Sequence, residues 1–406
     1  MREDLLQFIW RYSYFNQSSL FTEAGEELSV LSPGVLNRSV GPDFRDARIS
    51  IGGSLREGPV ELHIKASDWD RHGHSGDDNY RGVILHVVWE ADGGPANIPV
   101  LVLQHRVSKI LLGQYENWMH SQLFVPCADR LAQVNEAVWS VWKDRLLQQR
   151  LRQRMILVRG LLEQNRQHWE ETTWWMVARS LGLPANGALF EAVARSVPFR
   201  VMARHRREPE IVKALLLGQA GLLGVGEPVR QAELFGALDR DPGIRREYWW
   251  LRAKYGLVAP VGGLQLTGMR PAHRPAGRLE QLAQLFVAGD GWFARIREAE
   301  DARGLMDSLC ARGLGADAKR SILINAFVPV LFAYGWLRGE PALMEKALRW
   351  LREEEGEKNG VITKWQRLGV AVTSAADTQS LLELKKHYCD ARRCLDCAIG
   401  RSLLGR

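Results

Sequence analysis

Near its N-terminus the chain reads Ala47-Arg48-Ile49-Ser50-Ile51-Gly52-Gly53-Ser54 and, shortly afterwards, Val60-Glu61-Leu62-His63-Ile64-Lys65. Apolar and polar residues alternate in both runs, a pattern that is typical of β-strands with one buried face. The glycines between the two runs favour a tight turn. The sequence therefore predicts a β-hairpin, and the interpretation of the N-terminal part of the chain depends on it.

The predicted hairpin carries residues that are suited to metal-dependent phosphodiester hydrolysis. Asp43 follows Gly41-Pro42 at the mouth of the first strand, and Glu61, His63 and Lys65 share one face of the second strand because strand side chains alternate between faces. Carboxylates bind Mg²⁺ or Mn²⁺, and such an ion activates water. We expect Asp43 and Glu61 to hold the ion, Lys65 to orient the water, and His63 to act as an additional ligand or general base.

The order of the predicted elements indicates an α+β protein. An amphipathic helix is predicted over residues 4–15, and buried strands are predicted at Val83–Trp89 and Val100–Leu103. Helical periodicity dominates the rest of the chain. We therefore expect a small mixed β-sheet domain with flanking helices over residues 1–125, followed by a larger, mainly α-helical domain over residues 126–406 that ends in a Cys-rich segment.

Composition, net charge and the absence of common motifs limit the classes of function that the chain is expected to have. The chain has 406 residues, of which 46% are hydrophobic, and a formal net charge of +7, which is compatible with a polyanionic partner such as nucleic acid. It has no P-loop, no dinucleotide-binding fingerprint and no Gly-x-Ser-x-Gly motif. We expect a cytoplasmic protein without a membrane partner, because we find no signal-like start and no run of the roughly 18 apolar residues that a membrane span needs.

The predicted helical half contains a dense basic stretch. Its arginines are expected to bind phosphates without reading sequence, although a solvated helix face is the alternative. The residues that we assign to nucleic-acid binding are Arg145, Arg150, Arg152 and Arg154.

A polar link between the hairpin and the next strand contains two further candidate ligands, His72 and His74. Together with His63 and Asp43 they could form one cluster, and a mixture of imidazole and carboxylate suits Zn²⁺, Mn²⁺ or Fe²⁺. The alternative is that the two histidines are ordinary polar loop residues. His86 lies on an apolar strand, and we expect it to be a buried core residue.

Three cysteines cluster near the C-terminus as Cys389-x4-Cys394-x2-Cys397. The spacing predicts a structural zinc site, with either His387 or the distant Cys127 as the fourth ligand. A four-cysteine version would also suit an iron–sulfur cluster. The alternative is a set of reduced thiols that pack a terminal helix. Cys310 lies in a helical pattern and is expected to be a core residue.

The N-terminal region, over about residues 1–105, resembles the PD-(D/E)XK nuclease superfamily. Pro42-Asp43 matches the first half of the motif. The second half departs from it, because the usual acid-x-Lys spacing would place an acid where the chain has His63. Either His63 replaces the acid before Lys65, or Glu61 is the acid and His63 takes the place of the lysine. The resemblance implies a nuclease that uses Mg²⁺ or Mn²⁺.

Most of the chain is also similar to a bacterial family, domain of unknown function 2851. This second resemblance implies a grouping but no activity. It is carried by Gly41-Pro42-Asp43-Phe44, Val60-Glu61-Leu62-His63, Ser67-Asp68-Trp69, His72-Gly73-His74, Val83-Ile84-Leu85-His86-Val87-Val88, Ile322-Leu323-Ile324-Asn325 and the terminal cysteine segment.

Two functions from different classes follow from these patterns. The first is a metal-dependent nuclease, or a nuclease-derived protein that binds nucleic acid. The second is a non-catalytic interaction or scaffold protein with a degenerate nuclease fold and a structural metal at the C-terminal cysteines. They differ at the hairpin: the nuclease requires a metal ion there for catalysis, whereas the scaffold does not.

Overall fold

The computed structural model describes residues 1–223, 242–264 and 274–405. The chain forms two compact units, one of Met1–Trp142 with Lys385–Arg406 and the other of Lys143–Leu384. The first unit contains a mixed sheet with helices, and the described part of the second is helical, which confirms the predicted α+β class. The first unit differs from the predicted domain 1–125 because the last residues of the chain pack with the N-terminal region.

A seven-stranded sheet organises the first unit. Its order is β1-β2-β4-β5-β6-β7, and β3 pairs with β4 at one side. The pairs from β1 to β5 are antiparallel, whereas β5, β6 and β7 run parallel. The strands are β1 (Leu20–Phe21), β2 (Glu27–Ser32), β3 (Val35–Leu36), β4 (Phe44–Ile51), β5 (Ser54–Lys65), β6 (Leu85–Glu90) and β7 (Val100–Val102).

Strands β4 and β5 form the predicted hairpin. Ile51 pairs with Ser54 across a two-residue turn. The turn residues Gly52 and Gly53 both have positive φ, at 55° and 82°, which is the conformation that a type I′ turn requires and that glycine adopts without strain. The register shifts between Phe44 and Ala47, so a bulge bends the start of β4 close to Asp43.

Helices and short turns surround the sheet in the first unit. Helix α1 (Glu3–Arg11) packs against β5 through apolar side chains that include the fully buried Leu6 and Ile9; it ends before residue 15, the predicted limit. The connection from β5 to β6 contains α2 (Asp68–Arg71) and two 3₁₀ turns, His74–Gly76 and Asp78–Tyr80. The other elements are α3 (Lys109–His120), the 3₁₀ turn Ala128–Gln133, the π-helical turn Lys385–Cys389 and the terminal helix Ala398–Leu404.

The second unit has an extensive apolar core of buried leucine, valine and aromatic side chains. The chain enters the unit within the long helix Glu136–Gln164. The described helices that follow are Trp169–Leu181, Gly187–Ser196, Phe199–Arg204, Pro209–Gln219, Pro242–Tyr255, Pro275–Ala288, Trp292–Glu298, Ala302–Asp307, Ala316–Ile322, Val328–Arg338, Pro341–Glu353, Gly360–Arg367 and Ala375–Leu384. A π-helical turn, Leu323–Phe327, joins two of them.

One helical run in the described residues, Ala316–Arg338, is long and apolar enough to cross a membrane by length and composition alone. In the 18-residue window that passes this test, 72% is buried inside the structure. The core helix of a compact domain passes the same test, so this run is only weak evidence for a membrane span.

Candidate metal centre

Strands β5 and β6 place three polar side chains on one face of the sheet. Glu61 pairs with His86 in the parallel register, and His63 lies two residues further along β5. All three are buried, with 5%, 1% and 0% of their surfaces exposed for Glu61, His63 and His86 respectively. Burial of polar groups is unfavourable unless they are bonded, so the contacts of these side chains define a built site. His86 is buried, as predicted.

Asp43 and Glu61 are held side by side. The backbone N–H of Asp43 donates to Oε2 of Glu61 at 2.9 Å, and Oδ2 of Asp43 accepts from the backbone N–H of Leu62 at 3.2 Å. The side-chain amide of Gln7 in α1 donates to Oδ1 of Asp43 at 2.7 Å. These bonds fix the orientation of both carboxyl groups across the hairpin.

The two carboxyl groups hold their protons more tightly than usual. Burial, reinforced by the charge of Glu3, raises the pKa of Asp43 to about 7. Burial and the adjacent Asp43 raise the pKa of Glu61 to about 8. Glu61 is buried and Asp43 is half-buried, and two such acids without a neutralising charge repel one another, so this pair is chemically suited to a cation.

Three imidazoles converge beside Glu61. Ring nitrogens of His63, His72 and His74 all lie within 4.8 Å of one another, and Nε2 of His63 is 3.1 Å from Nδ1 of His72. Oε1 of Glu61 is 3.6 Å from Nε2 of His63 and 3.5 Å from Nε2 of His74. A tetrahedral ion with ligands at about 2.0–2.1 Å has ligand atoms roughly 3.4 Å apart, so this spacing fits a bound metal.

Neighbouring residues orient these imidazoles. Nδ1 of His63 is hydrogen-bonded to Nε2 of His86 at 2.9 Å, an arrangement that typically fixes the orientation of a metal-binding histidine. Burial, together with neighbouring imidazoles, lowers the pKa of His63 to about 3 and that of His86 to about 4. Both rings are therefore neutral near pH 7, and a histidine must be neutral to bind a metal ion.

Trp69 and Tyr80 pack around the same histidines. Tyr80 stacks on His74 with ring centroids 3.7 Å apart, and Trp69 makes an edge contact with His63 at 6.4 Å. Nε2 of His74 is buried and has no hydrogen-bond partner among the described residues. An unsatisfied buried nitrogen is unfavourable, and a metal ion at this position would satisfy it.

Lys65 stands at the end of β5 with half of its side chain exposed, and its ammonium group lies 3.8 Å from Asp92. Its part in orienting water stays a prediction. Sequence reasoning also missed Gln7 and Glu3, because only the packing of α1 against β5 shows that helix residues reach Asp43.

The terminal cysteines lie together in the first unit. Cys389, Cys394 and Cys397 are joined by Cys127, and burial, followed by neighbouring thiols, raises the pKa of Cys127, Cys389 and Cys394. All four are free; Cys127, Cys394 and Cys397 are buried, and Cys389 is half-buried. His387, the other candidate ligand, lies half-buried in the same π-helical turn as Cys389. Cys310 is exposed, so its predicted core position is wrong.

The predicted basic surface divides into two kinds of residue. Arg145 and Arg152 are exposed, whereas Arg150 and Arg154 are half-buried within the second unit. Arg150 lies 3.8 Å from the buried Glu383. These contacts assign Arg150 and Arg154 to the internal packing of the helical unit and leave Arg145 and Arg152 at the surface.

The comparisons with known proteins give a family and no activity. No curated protein and no solved structure matches the chain. The family model described as "Protein of unknown function (DUF2851)" matches residues 3–313, which is more than half of the chain and includes every residue of the candidate metal centre. The chain therefore belongs to the DUF2851 family.

Proposed function

We propose that this protein is a metal-dependent nuclease whose centre is formed by Asp43, Glu61, His63, His72 and His74. One observation carries the proposal. Glu61 bonds to the backbone of Asp43 through one carboxylate oxygen and faces His63 and His74 through the other, at 3.6 and 3.5 Å. A buried acid pair that adjoins three imidazoles is typical of the metal sites of hydrolases.

The donor set favours some metals over others. Mg²⁺ prefers an all-oxygen environment, whereas imidazole suits Mn²⁺, Fe²⁺ and Zn²⁺. Glu61 contributes oxygen and the three histidines contribute nitrogen. We therefore propose Mn²⁺ or a similar transition metal in preference to Mg²⁺.

The residues of the site have different roles in the proposed reaction. When bound, the ion would lower the pKa of a water molecule and neutralise charge on a phosphate. Glu61, His63, His72 and His74 would hold the ion. Asp43, oriented by Gln7, would either complete the coordination or accept the proton of the attacking water.

A basic cleft beside Asp43 supports a polyanionic substrate. It has a volume of about 360 Å³ and includes Gln7, the residue that donates to Asp43. The cleft also contains two aspartates, Asp4 and Asp396, but arginines outnumber them, so its lining is net positive and attracts phosphate groups. The arginines are Arg2, Arg11, Arg38, Arg392 and Arg393.

The direct test is cleavage of labelled single- and double-stranded DNA and RNA with Mn²⁺, Mg²⁺ or Zn²⁺ present. We expect Mn²⁺-dependent cutting that Asp43→Asn and Glu61→Gln each reduce at least 100-fold. Glu57→Gln is the matched control, because Glu57 is also on β5 but is exposed. Metal binding by each variant, measured by calorimetry, separates a lost ligand from a lost catalytic group.

The scaffold function is the alternative, and one observation favours it. The ammonium group of Lys65 lies 3.8 Å from Asp92, and a histidine stands at position 63, where the usual acid-x-Lys spacing would place an acid. A folded protein that binds one equivalent of Mn²⁺ at this centre but cuts none of the four substrates would support the scaffold.

A further inference from the structure

Four cysteines of the first unit, three buried and one half-buried, come from two well-separated parts of the chain. Cys127 precedes the 3₁₀ turn Ala128–Gln133, Cys389 ends the π-helical turn, and Cys394 and Cys397 lie just before the terminal helix. Cys127, Cys394 and Cys397 are only 8%, 6% and 6% exposed. The fold therefore brings one thiol from the middle of the sequence to three at its end.

The backbone around the cluster is arranged to place sulfur atoms. The backbone N–H groups of Ile399 and Gly400 partly offset the rise that burial causes in the pKa of Cys397. A Cβ at Gly400 would lie 2.2 Å from the carbonyl oxygen of Cys394, so only glycine permits this close approach. N–H groups that point at sulfur are a common feature of metal-bound thiolates.

Arg392 ties the terminal cysteine segment to the end of α3. It donates hydrogen bonds to the carbonyl oxygens of Trp118 and Ser121. This contact brings the segment of Cys389, Cys394 and Cys397 to the part of the chain that precedes Cys127.

We infer that Cys127, Cys389, Cys394 and Cys397 form a four-thiolate metal site, separate from the histidine centre. The chemistry that zinc and an iron–sulfur cluster share here is ligation by four sulfurs. Among the described residues, the one group of three or more ligands that converges within 4.8 Å is the histidine group. The sulfurs are thus spread more widely than the roughly 3.8 Å edge of a zinc–thiolate tetrahedron, and the test includes iron for this reason.

The experiment measures zinc, iron and acid-labile sulfide in the full-length protein, purified with and without exclusion of oxygen. We expect either one zinc or one iron–sulfur cluster per chain from this site. Cys389→Ser and Cys394→Ser should each remove it. Cys310→Ser, which changes an exposed cysteine elsewhere in the chain, should retain all of it.

Two further measurements distinguish loss of this site from misfolding of a variant and from metal bound at the histidine centre. X-ray absorption on the wild-type protein should show a shell of sulfur scatterers at about 2.3 Å from the metal, and it needs no variant that folds. His72→Ala with His74→Ala removes ligands of the other centre, so it should leave the sulfur-bound metal unchanged. A wild-type protein with no zinc or iron bound to sulfur, under either purification, would overturn the inference even if the nuclease is active.

Discussion

Glu61 accepts a hydrogen bond from the backbone N–H of Asp43 at 2.9 Å, although the two residues are 18 positions apart in sequence. This bond joins the mouth of β4 to the buried part of β5, and it holds two acidic side chains together away from bulk water. Without a bound cation, both acids favour their protonated forms. The same relationship that suits the pair to a metal ion makes the metal-free fold sensitive to alkaline pH.

We predict that the metal-free protein loses stability as pH rises from 6.5 to 8.5. The pKa of Asp43 is raised from 3.8 to about 7, and that of Glu61 is raised from 4.5 to about 8. The folded state therefore binds more protons than the unfolded state in this range, and the free energy of unfolding falls as pH rises. Urea unfolding in the presence of EDTA measures the effect.

Two comparisons test the origin of this slope. Glu61→Gln should flatten it, whereas Glu57→Gln on the same strand should leave it unchanged because Glu57 is exposed. Mn²⁺ should also reduce the slope, since a cation stabilises the ionised carboxylates. A slope that is the same in Glu61→Gln and in wild type would show that the acid pair is not its source.

His86 should control metal affinity without binding the metal itself. Its Nε2 is hydrogen-bonded to Nδ1 of His63 at 2.9 Å, and loss of such an orienting partner typically lowers metal affinity 10–100-fold. We expect His86→Phe to weaken Mn²⁺ binding by about that factor. His105→Phe, at an exposed position, is the matched control, and equal affinities of the two variants would contradict this role for His86.

The sequence predicted the hairpin because its determinants are local. Gly52 and Gly53 supply the positive φ angles of the turn, and the alternation of side chains places Glu61 and His63 on one face. The proximity of Asp43 to Glu61 follows from this geometry alone. His72 and His74 were predicted as candidate ligands from their residue type, and the structure brings them to His63.

Side-chain contacts between residues that are far apart in sequence could not be predicted. Gln7 reaches Asp43 only because α1 packs on β5. Arg150 and Arg154 lie in a helix of 29 residues, and its pattern of charges did not reveal which arginines would face the interior. Lys65 followed the expected strand face, but the loop that contains Asp92 determines where its ammonium group lies.

Gly400 provides a test of the cysteine cluster that leaves every cysteine in place. A Cβ at this position would lie 2.2 Å from the carbonyl oxygen of Cys394, so Gly400→Ala should cost about 1–3 kcal/mol of stability. It should also reduce the sulfur-bound metal. Gly113→Ala in α3 is the control, because nothing lies within 4 Å of its Cβ position; it should be neutral or stabilising by about 0.5–1 kcal/mol. Equal stability of the two variants would contradict this packing.

Substitutions of Arg150 and Arg152 should differ in their effect on stability, because Arg150 has a structural role in the helical unit and Arg152 lies at its surface. The side chain of Arg150 is 15% exposed, and its partner Glu383 is fully buried, at 0%. Removal of one member of a buried ion pair typically costs about 3–5 kcal/mol, so Arg150→Met should destabilise the fold by that amount. Arg152→Met changes an exposed residue that lies over the ring of Trp336, and it should alter stability by less than about 1 kcal/mol.

The same pair of variants tests the basic surface of this unit. If the exposed arginines bind phosphates, Arg152→Met should weaken binding of a labelled oligonucleotide at low salt, and the difference from wild type should shrink as salt is raised. Chemical denaturation and fluorescence anisotropy of the same samples measure both properties. An Arg150→Met protein as stable as wild type would contradict a structural role for this ion pair, because loss of the 3.8 Å contact with Glu383 would then have cost nothing.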